Sequence, residues 1–313
     1  MKPWLSVIVP VHEGRDFLPA TLASAADERP DGVEFLLYDS GRDGGACERI
    51  AAEYASRLNL RWRATPDVQS WTAKTNLGVR EARADHVCML HQDDLWLPGH
   101  LTAVMAAIAR RPDSVSIAAS QFASVTGDLV GKWDLPFGAG PVERADFIAT
   151  LLVQNSIAVP SPVIPRSAWL ACGGMDEALW YTADWDLYLR LAAICPIEVR
   201  PARTTAFRLH GRSLTMTGSR RSAEFREQLE TVLVRHLDAV PARRRLRAAR
   251  LARASIDVNC SLAAASAGEP GGLAGAVGAL VRLGPVGLPA YLRQSRIVDR
   301  LMPRVRLTLA GAM

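Results

Sequence analysis

The 313-residue chain has only five cysteines, at positions 47, 88, 172, 195 and 260, with no CxxC pair and no Cys/His cluster. Odd in number and widely spread, they exclude a disulfide framework and a structural zinc site, and they fit a reducing, cytoplasmic setting. Long apolar runs are missing too. The most apolar later stretch, 271–281, is cut short by Arg282 and Pro285, at about half the ~20 residues that span a bilayer. The opening MKPWLSVIVP is too short for a signal-peptide core and has no small-residue cleavage site, so neither a leader nor a membrane span is expected. Lysine occurs only at Lys2, Lys74 and Lys132. The stretch GRDGG at 41–45 fits neither GxGxxG nor GxxxxGK[ST] and reads as a turn.

What is present is an ordinary globular composition, 49% hydrophobic and 22% charged, on a chain long enough for a large core. The net charge of +5 hides an asymmetry. Residues 1–199 carry 17 basic against 25 acidic side chains, 200–253 carry 14 against 4, and 254–313 carry 6 against 3. An acidic body with a basic C-terminal third points to an anionic partner on that third. Aromatic residues are not interleaved with the arginines, which argues against nucleic acid.

Apolar runs and helical stripes alternate through the first half. Strands are expected at 5–10 (LSVIVP), 33–38 (VEFLLY), 60–64 and 86–90 (HVCML), with helices at 16–26, 46–58, 72–83 and 97–110. That alternation predicts a doubly wound, mostly parallel α/β sheet, whose ligands sit beyond the carboxyl ends of the strands. Strands at 114–119 and 122–133, the latter around a Thr126-Gly127-Asp128 turn, an extended 160–165 and a helix at 184–193 follow. From 220 onward the chain reads as helical and rich in Ala, Arg and Leu, with a break at 268–272.

Polar residues cluster where strands end: His12-Glu13, Asp39-Ser40-Gly41 and His91-Gln92-Asp93-Asp94, with Asp184 later opening a helix. Adjacent carboxylates repel unless a cation lies between them, so Asp93 and Asp94 suit a hard divalent ion such as Mg2+ or Mn2+. The plainer alternative is that one caps the next helix and the other is solvated. Asp184 is equally open to two roles, general base or helix cap. Asp186, roughly opposite it on the helix, and Arg190 at i+4 read as a structural surface pair.

LSVIVPVHEG, Asp39 at the end of the second strand, HVCMLHQDDLWLP, GGMDEALWYTADWDLYLRL and FRLHGRSLT occur in that order. Together, over about residues 4–215, they resemble the family 2 glycosyltransferases of the GT-A fold. The resemblance implies a nucleotide-sugar half at about 1–96 and an acceptor half at about 97–218, followed by a basic helical region at 219–313. It implies that Pro10, Val11 and Glu13 line the nucleotide and that Asp39 reads the base, with Lys74, Arg208 and Arg212 toward the donor. HQDD stands where the family has DxDD, which makes Asp93, Asp94 and His91 metal ligands with His210 beside them. Asp184 becomes the base of an inverting transfer of a hexosyl kind. Asp176 and Trp185 fall to the acceptor. The implied donor is a nucleoside-diphosphate sugar, UDP-linked first and GDP- or dTDP-linked next. The implied acceptor is a hydroxyl on a saccharide, a lipid carrier or a small molecule.

This chain departs from the family pattern at Ser40, where a second Asp is common, at His91 and at Ala183. Two rivals remain: a noncatalytic scaffold with a degenerate GT-A domain, favoured by His91 and Ala183, and a sugar nucleotidyltransferase. Intact Asp39, Asp93 and Asp184 oppose the first, and the lack of a basic glycine-rich loop after the first strand opposes the second. Arg243, Arg244, Arg245, Arg247, Arg250 and Arg253, with Leu292, Ile297 and Leu301 near the end, read as a solvated basic face or a peripheral membrane contact.

Overall fold

The computed structural model describes residues 2–218 and 222–311. The expected alternation is present as β1 (Leu5–Val11), α1 (Leu18–Asp27), β2 (Val33–Asp39), α2 (Ala46–Glu53), β3 (Asn59–Ala64), α3 (Trp71–Glu81) and β4 (His86–Met89). β1, β2 and β4 are buried along their whole length, which is why they read as unbroken apolar runs rather than alternating ones. β1 pairs in parallel with both β2 and β4, and β2 with β3. The chain thus runs outward from β1 to β3 and returns on the other side at β4. The register sets Val11 beside Asp39 and Asp39 beside Ala64. Carboxyl ends therefore share one edge, with the reversal point between β1 and β4, where open α/β sheets bind ligands.

Then come β5 (Leu95–Trp96), α4 (His100–Arg110), β6 (Val115–Ala118), β7 (Ser120–Ala123), β8 (Leu129–Trp133), β9 (Gly140–Val142), α5 (Arg144–Leu151), β10 (Val163–Pro165), α6 (Arg166–Ala171) and α7 (Ala183–Ile194). β11 (Ile197–Arg200), β12 (Thr205–Arg208) and α8 (Leu214–Gly218) complete the α/β part. The large sheet runs β3-β2-β1-β4-β10-β6-β11-β9, and a second one runs β5-β12-β7-β8. β10 joins β4 and β6 antiparallel, so the large sheet is mixed. β5, β9, β11 and β12 carry no sequence pattern because they are two to four residues long and are held by their partner strands.

The helices after 221 are α9 (Ser222–His236), α10 (Ala242–Ser266), α11 (Gly272–Val281), α12 (Gly284–Ser295) and α13 (Ile297–Leu309). The junction expected at 218/219 adjoins residues 219–221, which lie outside the described residues. α9 and α10 share one hydrophobic core with the large sheet: Phe225, Leu229, Val232 and Ile256 pack with Leu187, Leu191 and Ile117. Two expectations about this region change. Ile297 is buried and Leu301 packs against the same small core, which includes Leu251 and Tyr291, so they do not form an outward apolar face. Exposed on α13 instead are Val298, Met302, Val305 and Leu309. Among the described residues no single helix is long and apolar enough to cross a membrane, and α11 and α12 meet at 113°.

Close approach of α3 to the sheet depends on Gly78, where a Cβ would meet Ile8 Cγ2 at 2.5 Å and Tyr38 Cε2 at 2.9 Å. Gly78→Ala is expected to lower stability by about 1–3 kcal/mol, the usual cost of overpacking. Urea unfolding measures it, and an unchanged midpoint would contradict this packing.

Candidate functional site

After β4 the chain makes a tight turn, closed by Asp94 N–H donating to the His91 carbonyl at 3.1 Å. His91, Asp93 and Asp94 then offer ligand atoms within 4.8 Å of one another. β12 supplies the brace. Arg208 donates from Nε to the Asp93 carbonyl and from Nη1 to the Val125 carbonyl, both at 2.8 Å, and its backbone N–H reaches Asp94 Oδ1 at 3.3 Å. His210 donates from Nε2 to Asp93 Oδ2 at 2.8 Å, with its ring 4.4 Å from that of Phe17.

The two carboxyls are driven apart. Burial alone would raise Asp93, but the His210 hydrogen bond and the nearby His91 outweigh it and hold Asp93 below its usual range. Asp94 is raised well above its own, by burial and then by the Asp93 charge. Burial pushes His91 down against the pull of Asp93. Asp94 Oδ2 and His91 Nε2 are both buried with no hydrogen-bond partner. Two unsatisfied ligand atoms beside an ionised carboxylate are what a divalent cation would satisfy, so the residues fit such an ion. A second acidic group, Asp39, Asp43 and Cys47, does not. Asp43 caps α2 by accepting from Ala46 N–H at 2.9 Å, and burial pushes the Cys47 thiol up to about 12.

The cluster opens onto a cleft of about 510 Å3. Of the residues expected from the sequence, Pro10, Lys74, His91, Asp93, Asp184, Trp185, His210 and Arg212 line it. Lys74 is almost wholly buried and donates to the Val11 carbonyl at 2.6 Å and to Ser40 Oγ at 2.7 Å. Burial brings it down to about 8, opposed by Asp39. It ties the ends of β1 and β2 together. Gln92 does the same for β1 and β4, accepting from His12 N–H at 2.7 Å and donating to the His12 carbonyl at 3.0 Å.

Asp184 lies in the first turn of α7, which starts at Ala183, one residue before the expected start at 184, with Thr182 at the cap position. It is therefore not a helix cap. Its Oδ1 accepts from Trp185 N–H at 2.8 Å and its Oδ2 from Asn155 Nδ2 at 2.9 Å. Burial raises it to about 6 despite both bonds. Asp186 is fully buried, not the surface residue expected. It accepts from Arg190 Nε at 2.8 Å, Arg235 Nη1 at 2.9 Å and His236 Nε2 at 2.8 Å.

Several expected residues stand off the cleft wall. Val11 turns its side chain into the core and offers only its carbonyl. Glu13 is exposed at the rim with a positive φ of 50°. Asp39 is buried beside Val11, with Oδ1 accepting from Gly41 N–H at 2.7 Å. Arg208 spends Nε and Nη1 on backbone carbonyls, while its Nη2 is buried without a partner. Asp176 fixes a turn, accepting from Ala178 N–H and from Arg235, both at 3.0 Å. The sequence analysis missed Asn155, Trp180, Tyr181, Arg300 and Arg304, all of which line the cleft. No motif marks them. Asn155 alone carries a signal, as a polar residue between the apolar stretches LLV and IAV.

The raised Asp184 has a consequence for stability. Its folded value of about 6 lies above the ordinary 3.8, so the stability it gives is present at low pH and is lost as pH rises to about 6, by about 3 kcal/mol in all. Asp184→Asn removes the titration. Its melting temperature should gain on the parent's between about pH 4 and pH 7. A gap independent of pH would contradict the assignment.

Residues 6–139 match the family described as Glycosyl transferase family 2. An uncharacterized glycosyltransferase of Rickettsia felis is 21% identical over 212 residues, which are 66% of this chain and 34% of that protein. One of Haemophilus influenzae is 23% identical over 189 residues, 60% of this chain and 61% of that protein. The chain thus spans about a third of the length of the Rickettsia felis relative. Among solved structures, S. aureus TarS 1–349 in complex with UDP-GlcNAc superposes with a TM-score of 0.55 at 14% identity, covering 88% of each chain. The mannosyltransferase PcManGT from Pyrobaculum calidifontis, in complex with GDP-Man and Mn2+, superposes at 0.57 with 18% identity, over 96% of this chain and 87% of the other. At such identities the likeness is one of fold, and that fold is GT-A. Over residues 6–139, less than half of its length, the chain is similar to glycosyl transferase family 2.

Proposed function

We propose that this chain is an inverting glycosyltransferase that moves a sugar from a nucleoside-diphosphate sugar to an acceptor hydroxyl. One observation carries the reading. A buried carboxylate raised to about 6, Asp184, faces the same cleft as the ion-fitting cluster at the end of β4. Asp184 takes the proton of the acceptor hydroxyl as its oxygen bonds to the anomeric carbon and the bond from that carbon to the diphosphate oxygen breaks. Asn155 and the Trp185 N–H hold the two carboxylate oxygens in place. Among the described residues that line the cleft, only Asp93 and Asp184 bear carboxylates, and Asp93 is engaged by His210. With no second carboxylate free to act as nucleophile, a single displacement with inversion is favoured.

His91, Asp93 and Asp94 would hold Mn2+ or Mg2+, which when bound offsets charge on the departing diphosphate. The mixed nitrogen and oxygen donors favour Mn2+. His210 and Arg212 add cationic or hydrogen-bonding groups on that side. The donor is UDP-linked in the first instance, with GDP- or dTDP-linked sugars next. The structures it resembles in fold were solved with UDP-GlcNAc and GDP-Man.

We place the protein at the cytoplasmic face of a membrane, bound peripherally. The support is a set of exposed apolar residues, Leu273, Val277 and Val281 on α11 and Val298, Met302 and Val305 on α13, together with exposed Arg247 and Arg253 on α10. Apolar contact plus attraction to anionic headgroups gives reversible binding. Sedimentation with phosphatidylglycerol vesicles should decline with salt; protein that stays in solution at low salt would rule this out.

Thermal shift with UDP, GDP and dTDP, each with Mn2+ or with EDTA, tests the donor site. Stabilisation by one diphosphate, abolished by EDTA, is expected. No shift with any of them would favour the scaffold reading. Asp184→Asn should keep that shift and lose about 10²–10⁴ in turnover. Turnover should rise with pH through about 6, and Asn155→Leu should move that limb upward, since Asn155 favours the ionised carboxylate.

A further inference from the structure

α13 brings two cations into the cleft that the donor chemistry does not use. Arg300 and Arg304 lie one turn apart, half-buried, and both line the cleft. The helix that carries them is firmly seated. Leu307 packs with Phe122, Trp133, Ala158 and Leu209, Pro303 lies against Gly131, and Arg296 Nη2 donates to Asp134 Oδ2 at 3.1 Å. The two guanidinium groups rest over aromatic faces, Arg300 5.9 Å from the Trp133 centroid and Arg304 5.1 Å from that of Phe122.

What they lack is an anion. Arg296 on the same helix has two carboxylates, those of Asp134 and Asp299. Among the described residues, none lies within ion-pair distance of Arg300 or Arg304. Nε and Nη1 of Arg300 are buried without an acceptor. Burial lowers both groups, and the added repulsion of Arg300 brings Arg304 down to about 10. Arg304 Nη1 donates to the Arg300 carbonyl, but two like charges half out of water with no carboxylate partner are costly unless a ligand offsets them. Their neighbour is Tyr181, which feels both arginines and also Asp184. Tyr181, Asp184 and the two arginines line the same cleft.

We infer that Arg300 and Arg304 form a subsite for a phosphate group carried by the acceptor, next to the hydroxyl that Asp184 deprotonates. The word acceptor rests on the reading of Asp184 as base; the anion subsite itself does not. Phosphate suits the pair better than a carboxylate. Two guanidinium forks one turn apart present donors to a tetrahedral dianion from two sides, whereas a monocarboxylate occupies one fork and leaves the other charge unpaired. The phosphate can belong to a soluble ester or to a lipid.

The test measures binding of inorganic phosphate and glycerol 3-phosphate to the full chain by calorimetry, with and without saturating UDP and Mn2+. Phosphate should bind equally in both conditions. Arg300→Gln and Arg304→Gln should each weaken it by roughly tenfold or more while the response to UDP and Mn2+ stays as in the parent. Phosphate that is displaced by UDP would overturn the inference by giving the arginines to the donor. So would no phosphate binding, or binding unchanged in the variants. Should the variants fold poorly by circular dichroism, the UDP competition on the parent protein still decides. Phosphatidylcholine vesicles with and without phosphatidic acid separate the sources: competition with inorganic phosphate assigns a lipid phosphate, and none assigns a soluble ester. A phosphate response without any nucleotide response would remove the donor reading and leave the subsite standing.

Discussion

One buried carboxylate, Asp186, ties α7 to the end of α9. A fully buried charge is tolerable only when paired on several sides, and Asp186 accepts from Arg190, Arg235 and His236. Burial opposes its ionisation, but these three partners bring it down to about 2. Arg190 reaches on to the Cys172 carbonyl, and Arg235 to Asp176 in the turn before α7. The start of α7, the turn that precedes it and the end of α9 are thereby clamped at one point. Asp184 stands two residues away on the same helical turn, so its position follows from that clamp.

The cleft sorts its carboxyls by one rule. Where a cation or a donating imidazole is in contact, as at Asp93 and Asp186, the group is held ionised against burial. Where it is absent, as at Asp94 and Asp184, burial wins and the group is raised. In the proposed reaction Asp94 gains a positive partner at the end of β4 and Asp184 takes a proton. Groups suited to opposite signs therefore share a single cavity: His91 Nε2 without a partner for a cation, and Arg300 Nε and Nη1 without an acceptor for an anion.

The basic surplus of the C-terminal third has more than one use. Arg244 pairs with Asp146 and Arg245 with Asp238, and Arg250 donates to the carbonyls of Arg282 and Leu283. These arginines tie α10 to its neighbours. Arg300 and Arg304 point inward, and others such as Arg247 face water. A charge count cannot separate these fates, because each depends on what packs against the helix face in question.

The sequence by itself determined the first four strands and their intervening helices, because strands buried on both faces are continuous apolar runs and a helix on a sheet shows its stripe. It also determined the acidic positions at strand ends, since a parallel sheet gathers those ends on one edge. Only the tertiary structure decided which of them face the cleft. Val11 and Arg208 sit in the right motifs, yet one is core and the other a brace, for side-chain direction depends on partners far along the chain. β5 and β12 exist only because strands from elsewhere complete their hydrogen bonds. Arg300 and Arg304 are unremarkable in a helix rich in arginine. They become part of the cleft because Leu307 and Pro303 seat α13 on a sheet formed some 170 residues earlier, and no local pattern encodes a contact at that separation.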